Sequence, residues 1–281
     1  MMYRSIRQFA AALACAGLVT ATAHSAFAAD SDPIASDGKP VNPARWIVTV
    51  GASVEYGSKF EGARANGFGF MPSFDIRRGD EPEGMSAPDD NIDYTLLTLG
   101  GLEIGPVIGF RSGRSHSDDR GFVGLRHVSW TVDGGVFAQF WPIQDRLRVR
   151  AEVRQAFNNS EGLVADLSAD VFQRYNKFLF SVGPRLSLAD STYMRNTFGV
   201  TEEESHNNHR VEPYTPGGGV KSYGIVAATT YSFSDAWSVQ VFGRYDRLAG
   251  DAEDSPIVPK LGSKDQKAIG VTWNYSFGVG H

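Results

Sequence analysis

Residues 269–277, Ile-Gly-Val-Thr-Trp-Asn-Tyr-Ser-Phe, constrain the fold more than any other stretch. Every odd position is large and apolar: Ile269, Val271, Trp273, Tyr275 and Phe277. Every even position is small or polar: Gly270, Thr272, Asn274 and Ser276. A β-strand sends successive side chains to opposite faces, so this segment has one apolar and one polar face. The apolar face becomes more aromatic toward its end, which fits a strand with lipid on one side and rings at the headgroup level. A soluble sandwich strand alternates too, so the distinction rests on the rest of the chain.

The first 28 residues read as an export signal. Arg4 and Arg7 form the basic region, Phe9 to Val19 is a short apolar run, and Ala26-Phe27-Ala28 offers a small-x-small cleavage site. That run is too short to cross a bilayer as a helix. Cys15, the only cysteine, lies within this leader, so the mature chain is expected to hold no disulfide and no thiolate site. The 27 basic residues less Arg4 and Arg7 leave 25 against 32 acidic ones, a balance with no electrostatic footprint for nucleic acid. Residues 29–43, polar with three prolines, read as a flexible periplasmic lead-in. Residues 44–281 read as one β domain.

From Trp46 onward the period is two. Trp46, Val48, Val50, Ala52, Val54 and Tyr56 share one face of a first strand; Phe68, Phe70, Pro72, Phe74 and Ile76 share one face of a second. Pro72 removes a ladder donor, which points to a bulge or an edge-like position. Residues 78–91 read as an acidic, Pro/Gly-rich loop and 94–99 as a short, less regular strand. The turns at 142–145, 175–177 and 234–236 are tight, and the connections between them are long. Short turns on one rim and long loops on the other are the pattern of an outer-membrane barrel, as are aromatics gathered at strand ends. Eleven strands can be counted directly. A closed antiparallel barrel with both ends on one side needs an even number, so about twelve are expected, with ten as the alternative. Residues 79–101 and 189–200 are where a strand is hidden or miscounted.

The most informative hairpin sets Arg148, Arg150, Glu152 and Arg154 opposite Asp166 and Asp170, all on the polar face. Cross-strand pairing favours such opposite charges. Two readings stand: a lumenal constriction that selects charged solutes, or ion pairs that plug a small barrel. The balanced signs favour the plug. His206 and His209 beside Glu202–Glu204 lack a fixed third ligand, so no metal or other cofactor is expected. His116 and His127 flank one loop without a nucleophilic serine in strand alternation, so no catalytic residues are assigned and the chain is read as a non-enzyme.

Several stretches resemble the MltA-interacting protein (MipA/OmpV) family of outer-membrane proteins. They are Glu55-Tyr56-Gly57-Ser58, the 102–113 strand with Gly105-Pro106 and Arg114 after it, and Thr197-Phe198-Gly199-Val200. The most specific is 248–258, Leu-Ala-Gly-Asp-Ala-Glu-Asp-Ser-Pro-Ile-Val, followed by Gly262-Ser263 and Gln266. The chain departs from the family at Glu253, where a second alanine is usual, and in the four residues after Phe277. The resemblance implies an outer-membrane barrel that scaffolds a peptidoglycan hydrolase and synthase, or acts as an adhesin in other members. It implies no catalytic residues. Asp251, Asp254, Ser255 and Pro256 of the 248–258 stretch are read as a structural turn that also serves as a recognition surface. The expected protein is thus an all-β, closed, antiparallel transmembrane barrel in the cell outer membrane, with short periplasmic turns, longer extracellular loops and lipid around it. Its expected function is scaffolding; the alternatives are a narrow channel for small solutes and a surface adhesin.

Overall fold

A computed structural model of the chain describes residues 46–79, 84–115, 119–157 and 162–279. The expected signal peptide, the lead-in and His116 lie outside the described residues. Twelve strands form one antiparallel ladder: β1 (Trp46–Ser58), β2 (Asn66–Arg78), β3 (Ile92–Asp93), β4 (Leu97–Leu99), β5 (Leu102–Arg111), β6 (Thr131–Ile143), β7 (Leu147–Ala156), β8 (Leu163–Tyr175), β9 (Phe178–Ala189), β10 (Gly219–Ser232), β11 (Trp237–Leu248) and β12 (Asp265–Val279). The order around the wall is β2-β1-β12-β11-β10-β9-β8-β7-β6-β5, ending with β3 and β4, both of which pair with β5.

The alternation in 269–277 acts as the period predicts. Ile269, Val271, Trp273, Tyr275 and Phe277 all point outward and are exposed, whereas Gly270 and Thr272 are buried. Apolar-out burial of this kind makes sense only if the surrounding solvent is hydrocarbon. The same parity runs through β1, where Val50, Val54 and Tyr56 are exposed. β12 pairs with β1 from Trp46↔Val279 to Gly57↔Ala268, which joins the two ends of the described chain at one rim. That rim carries the short turns at 100–101, 144–146, 176–177 and 233–236. It also carries a belt of rings on β9 to β12: Phe178 against Tyr231 (4.8 Å), Trp237 against Tyr275 (4.4 Å) and Tyr275 against Phe277 (5.6 Å).

The number of strands and the number of wall positions differ by one. β3 and β4 are two pieces of one wall position, so the wall has eleven positions and its terminal strands β2 and β4 both run toward the short-turn rim. Residues 84–91 lead into Ile92, which sits opposite Ile108 near the far end of β5. They do so inside the lumen. The 78–91 loop of the sequence reading is a loop over its described residues 84–91, and its Asp89 and Asp90 reach arginines on the inner faces of β7 and β9. The wall is nearly closed, with a seam between β2 and β3–β4 where no register pairing is made among the described residues. Pro72 lies in β2 with no register shift across it, so it is tolerated as an edge residue and not as a bulge. The break between β3 and β4 also has a local cause. Pro106 on β5 offers no N–H, and the Tyr94 carbonyl lies 1.8 Å from where a Cβ on Gly105 would stand, so β5 cannot carry a larger residue there.

The long-loop rim carries a folded cap. The 189–217 segment, irregular in the sequence reading, contains α1 (Ser191–Phe198) and α2 (Glu202–Asn208); the last long loop contains α3 (Asp251–Asp254) and α4 (Ile257–Leu261). These helices are short because capping and turn residues, not a long apolar period, define them. Asp190 accepts from the Tyr193 N–H, and Thr201 and Glu204 form a reciprocal capping box. Among the described residues no helix is long and apolar enough to cross a membrane. Two apolar clusters hold the cap: Phe60, Phe122, Val200, Val211, Ile257 and Leu261 in one, and Tyr193, Met194, Phe198, Leu248 and Val258 among those in the other.

Candidate functional site

The polar faces of β5 to β9 build a charged layer across the lumen. β7 and β8 pair so that Arg148 stands opposite Asp170 and Glu152 opposite Asp166. Arg148, 2% exposed, donates to both oxygens of Asp90 (2.6 and 2.9 Å) and to Asp170 (2.9 Å). Arg150 donates to Asp93 (2.6 Å), to Glu152 (2.6 and 2.8 Å) and to Gln139 (2.9 Å), and stacks over Phe137 at 4.2 Å. Arg154 donates to Asp166, which also accepts from the Ser187 hydroxyl at 2.6 Å. Arg185 from β9 donates to both oxygens of Asp89 (2.7 and 2.8 Å) and to Asp170 (2.8 Å). Asn91 donates to Glu152 at 2.8 Å.

The structure thus brings all six ladder residues together and adds Asp89, Asp90 and Asn91 from the acidic 78–91 loop, which the sequence gives no reason to place beside them. Strand alternation identifies faces of a wall; it holds no signal for a segment that enters the lumen. Each guanidinium is planar and forked, and carboxylates fill those forks. Such a layer, at low exposure, tolerates little loss: removing one partner strands the other charge out of water.

Above the layer, toward the cap, lies a chamber of about 370 Å³. Tyr193 enters it from α1, its ring held between Arg111 (4.6 Å) and Lys221 (5.0 Å), and its hydroxyl donates to Glu61. Burial, and then the adjacent Glu61 charge, push the Tyr193 hydroxyl up to about 12, so it stays a donor. Arg114 also lines the chamber. It donates to the Thr197 carbonyl at 2.6 Å and lies 5.1 Å over the Phe122 ring. Burial pulls its guanidinium down to about 10.

The 248–258 stretch works inside the cap. Ser255 is fully buried and donates to the Phe198 carbonyl at 2.6 Å, which ties α4 to the end of α1. Asp251 accepts from the Gly217 N–H at 2.5 Å, and Pro256 immediately precedes α4. Asp254 is exposed. Ser255→Ala leaves the Phe198 carbonyl without its donor, an expected loss of about 1–3 kcal/mol in the cap alone. Hydrogen exchange should show faster opening of 191–198 with the strands unchanged.

Glu204 joins the 119–130 loop to α2. Partial burial pushes its carboxyl up, but hydrogen bonds from the Arg126 side chain and from the Thr201 and Arg126 backbones outweigh this and hold it at about 2, below its ordinary 4.5. A depressed carboxylate stabilises the fold above its unfolded value and stops doing so as protons bind. Cap protection against protease should therefore be full above pH 4.5 and decline toward pH 2, and Glu204→Gln should remove that dependence. His206 and His209 lie 5.7 Å apart, ring to ring, on this same helix end.

The MltA-interacting protein MipA family matches residues 50–277. The chain belongs to the MipA family. Its matched span covers almost the whole wall, from β1 to the outward-facing Phe277 of β12. No curated protein matches the sequence. Among solved structures, the COG4313 outer membrane channel of Pseudomonas putida F1 is 10% identical, with a TM-score of 0.41 over 89% of this chain and 100% of that one. OmpT, an outer membrane protein of Vibrio cholerae, is 8% identical, with a TM-score of 0.35 over 83% and 97%. The CymD monoaromatic hydrocarbon channel is 10% identical, with a TM-score of 0.34 over 85% and 90%. This MipA-family chain is an outer-membrane β-barrel with a layer of paired charges in its lumen.

Proposed function

We propose that the protein is a sealed outer-membrane barrel that acts as a structural and interaction platform, not as an enzyme or a constitutive pore. The observation that carries this reading is the lumenal layer: Arg148, Arg150 and Arg185 are committed to Asp89, Asp90, Asp93 and Asp170, the first two aspartates on the 84–91 segment. In this reading the short-turn rim faces the periplasm and the capped rim faces the outside. The partners are peptidoglycan-processing enzymes, a hydrolase and a synthase, as the family's description as MltA-interacting suggests. The turns at 144–146 and 233–236 then form the docking side. Photo-crosslinkers at Gln144 and Asp235 in whole cells should capture a murein hydrolase or synthase. Capture from cap positions alone, or no capture of either enzyme, would rule the platform out.

A further inference from the structure

Residues 89 and 90 hold their two carboxylates on two arginines from different strands, each in a two-pronged contact. Asp90 meets Arg148 of β7 at 2.6 and 2.9 Å; Asp89 meets Arg185 of β9 at 2.7 and 2.8 Å. That is the geometry by which a guanidinium recognises a free carboxylate. The wall already half-compensates these arginines, because both also bond to opposite oxygens of Asp170. With residues 89 and 90 withdrawn, two cations would share one carboxylate, an attractive field for an incoming anion. The other wall arginines would keep partners of their own: Arg150 has Asp93 and Glu152, and Arg154 has Asp166.

The segment itself is held by charge more than by apolar burial. Ala87 is its only buried residue, and Gly84 and Ser86 are exposed. It leads into Ile92 of β3, with the contacts to Arg148 and Arg185 shortly before it. Loss of those contacts therefore removes most of what keeps it across the lumen.

We propose that Asp89 and Asp90 are an internal stand-in for a solute bearing two or more carboxylates, and that Arg148, Arg185 and the chamber beside them form a binding site for such a solute. Binding displaces residues 84–91 from the arginines and opens the lumen. This makes the sealed state of the preceding section a resting state, gated by a small polyanion.

The test uses two independent arms on the full barrel. In planar bilayers, the Asp89→Asn/Asp90→Asn double variant should show stepwise, anion-preferring conductance without citrate, while the native protein is silent until millimolar citrate is added. Separately, Ala87→Cys in a Cys15→Ser background reports the segment without weakening it. Citrate should raise its maleimide labelling rate at least tenfold, whereas sodium chloride at matched ionic strength should not. Equal labelling with citrate and sodium chloride would overturn the site. A silent but folded double variant would overturn the gate alone. Conductance of the native protein without citrate would instead overturn the sealed reading on which the gate rests.

Discussion

Arg148→Ala is expected to be the most destabilising single change in the barrel. Arg148 is almost fully buried, and among the described residues its loss leaves Asp90 the Ala87 N–H and Asp170 the Arg185 guanidinium as hydrogen-bond donors. Breaking a buried pair by deleting one partner costs about 3–5 kcal/mol, because the remaining charge stays out of water. Thermal unfolding of the refolded barrel, followed by circular dichroism, should show a large drop in midpoint. Lys260→Ala, which removes the exposed partner of Glu212 on the cap, should leave the midpoint where it was. Equal effects from the two substitutions would mean that the lumenal layer carries no special weight.

A second large effect is expected on the lipid side. Val54, Val241 and Val271 form one outward row across β1, β12 and β11, near the middle of strands 12 to 15 residues long. An arginine at the midplane of a barrel's lipid face costs about 2–4 kcal/mol. Val271→Arg should therefore impair folding into vesicles, measured by urea titration. Thr272→Ser, one residue on and facing the lumen, should be silent by the same measure. If both variants fold equally well, the parity of β12 has been assigned to the wrong faces.

How far the fold was legible depends on which residues are asked. Ile269 to Phe277 and Trp46 to Tyr56 declare their faces through alternation alone, because hydrocarbon outside and polar contacts inside leave no other pattern. Pro72 pointed to a bulge or an edge, since a missing donor is tolerable at either, and β2 proves to be an edge. The region between β2 and β5 was opaque for a physical reason. Asp89 and Asp90 look like any acidic loop residues until Arg148 and Arg185 are placed opposite them by β7 and β9, far away in sequence. About twelve strands were expected and twelve are described, but β3 and β4 share one wall position, so the even wall count that closure asked for is not reached among the described residues. The cap was hidden differently: α1 and α2 are seven or eight residues long, too short for a helical period to stand out, although the Thr201 to Glu204 capping pattern was there to be read. The ladder of Arg148, Arg150, Glu152, Arg154, Asp166 and Asp170 was visible as a set of charges on one face, but its partners and its packing against residues 84–91 were not.

The central claim is that charge pairing with an internal segment closes the barrel at rest. Conductance of the purified native protein in a planar bilayer, in plain sodium chloride, tests it most directly. The account predicts a silent membrane at all moderate voltages. Regular ohmic steps from the native barrel would contradict it.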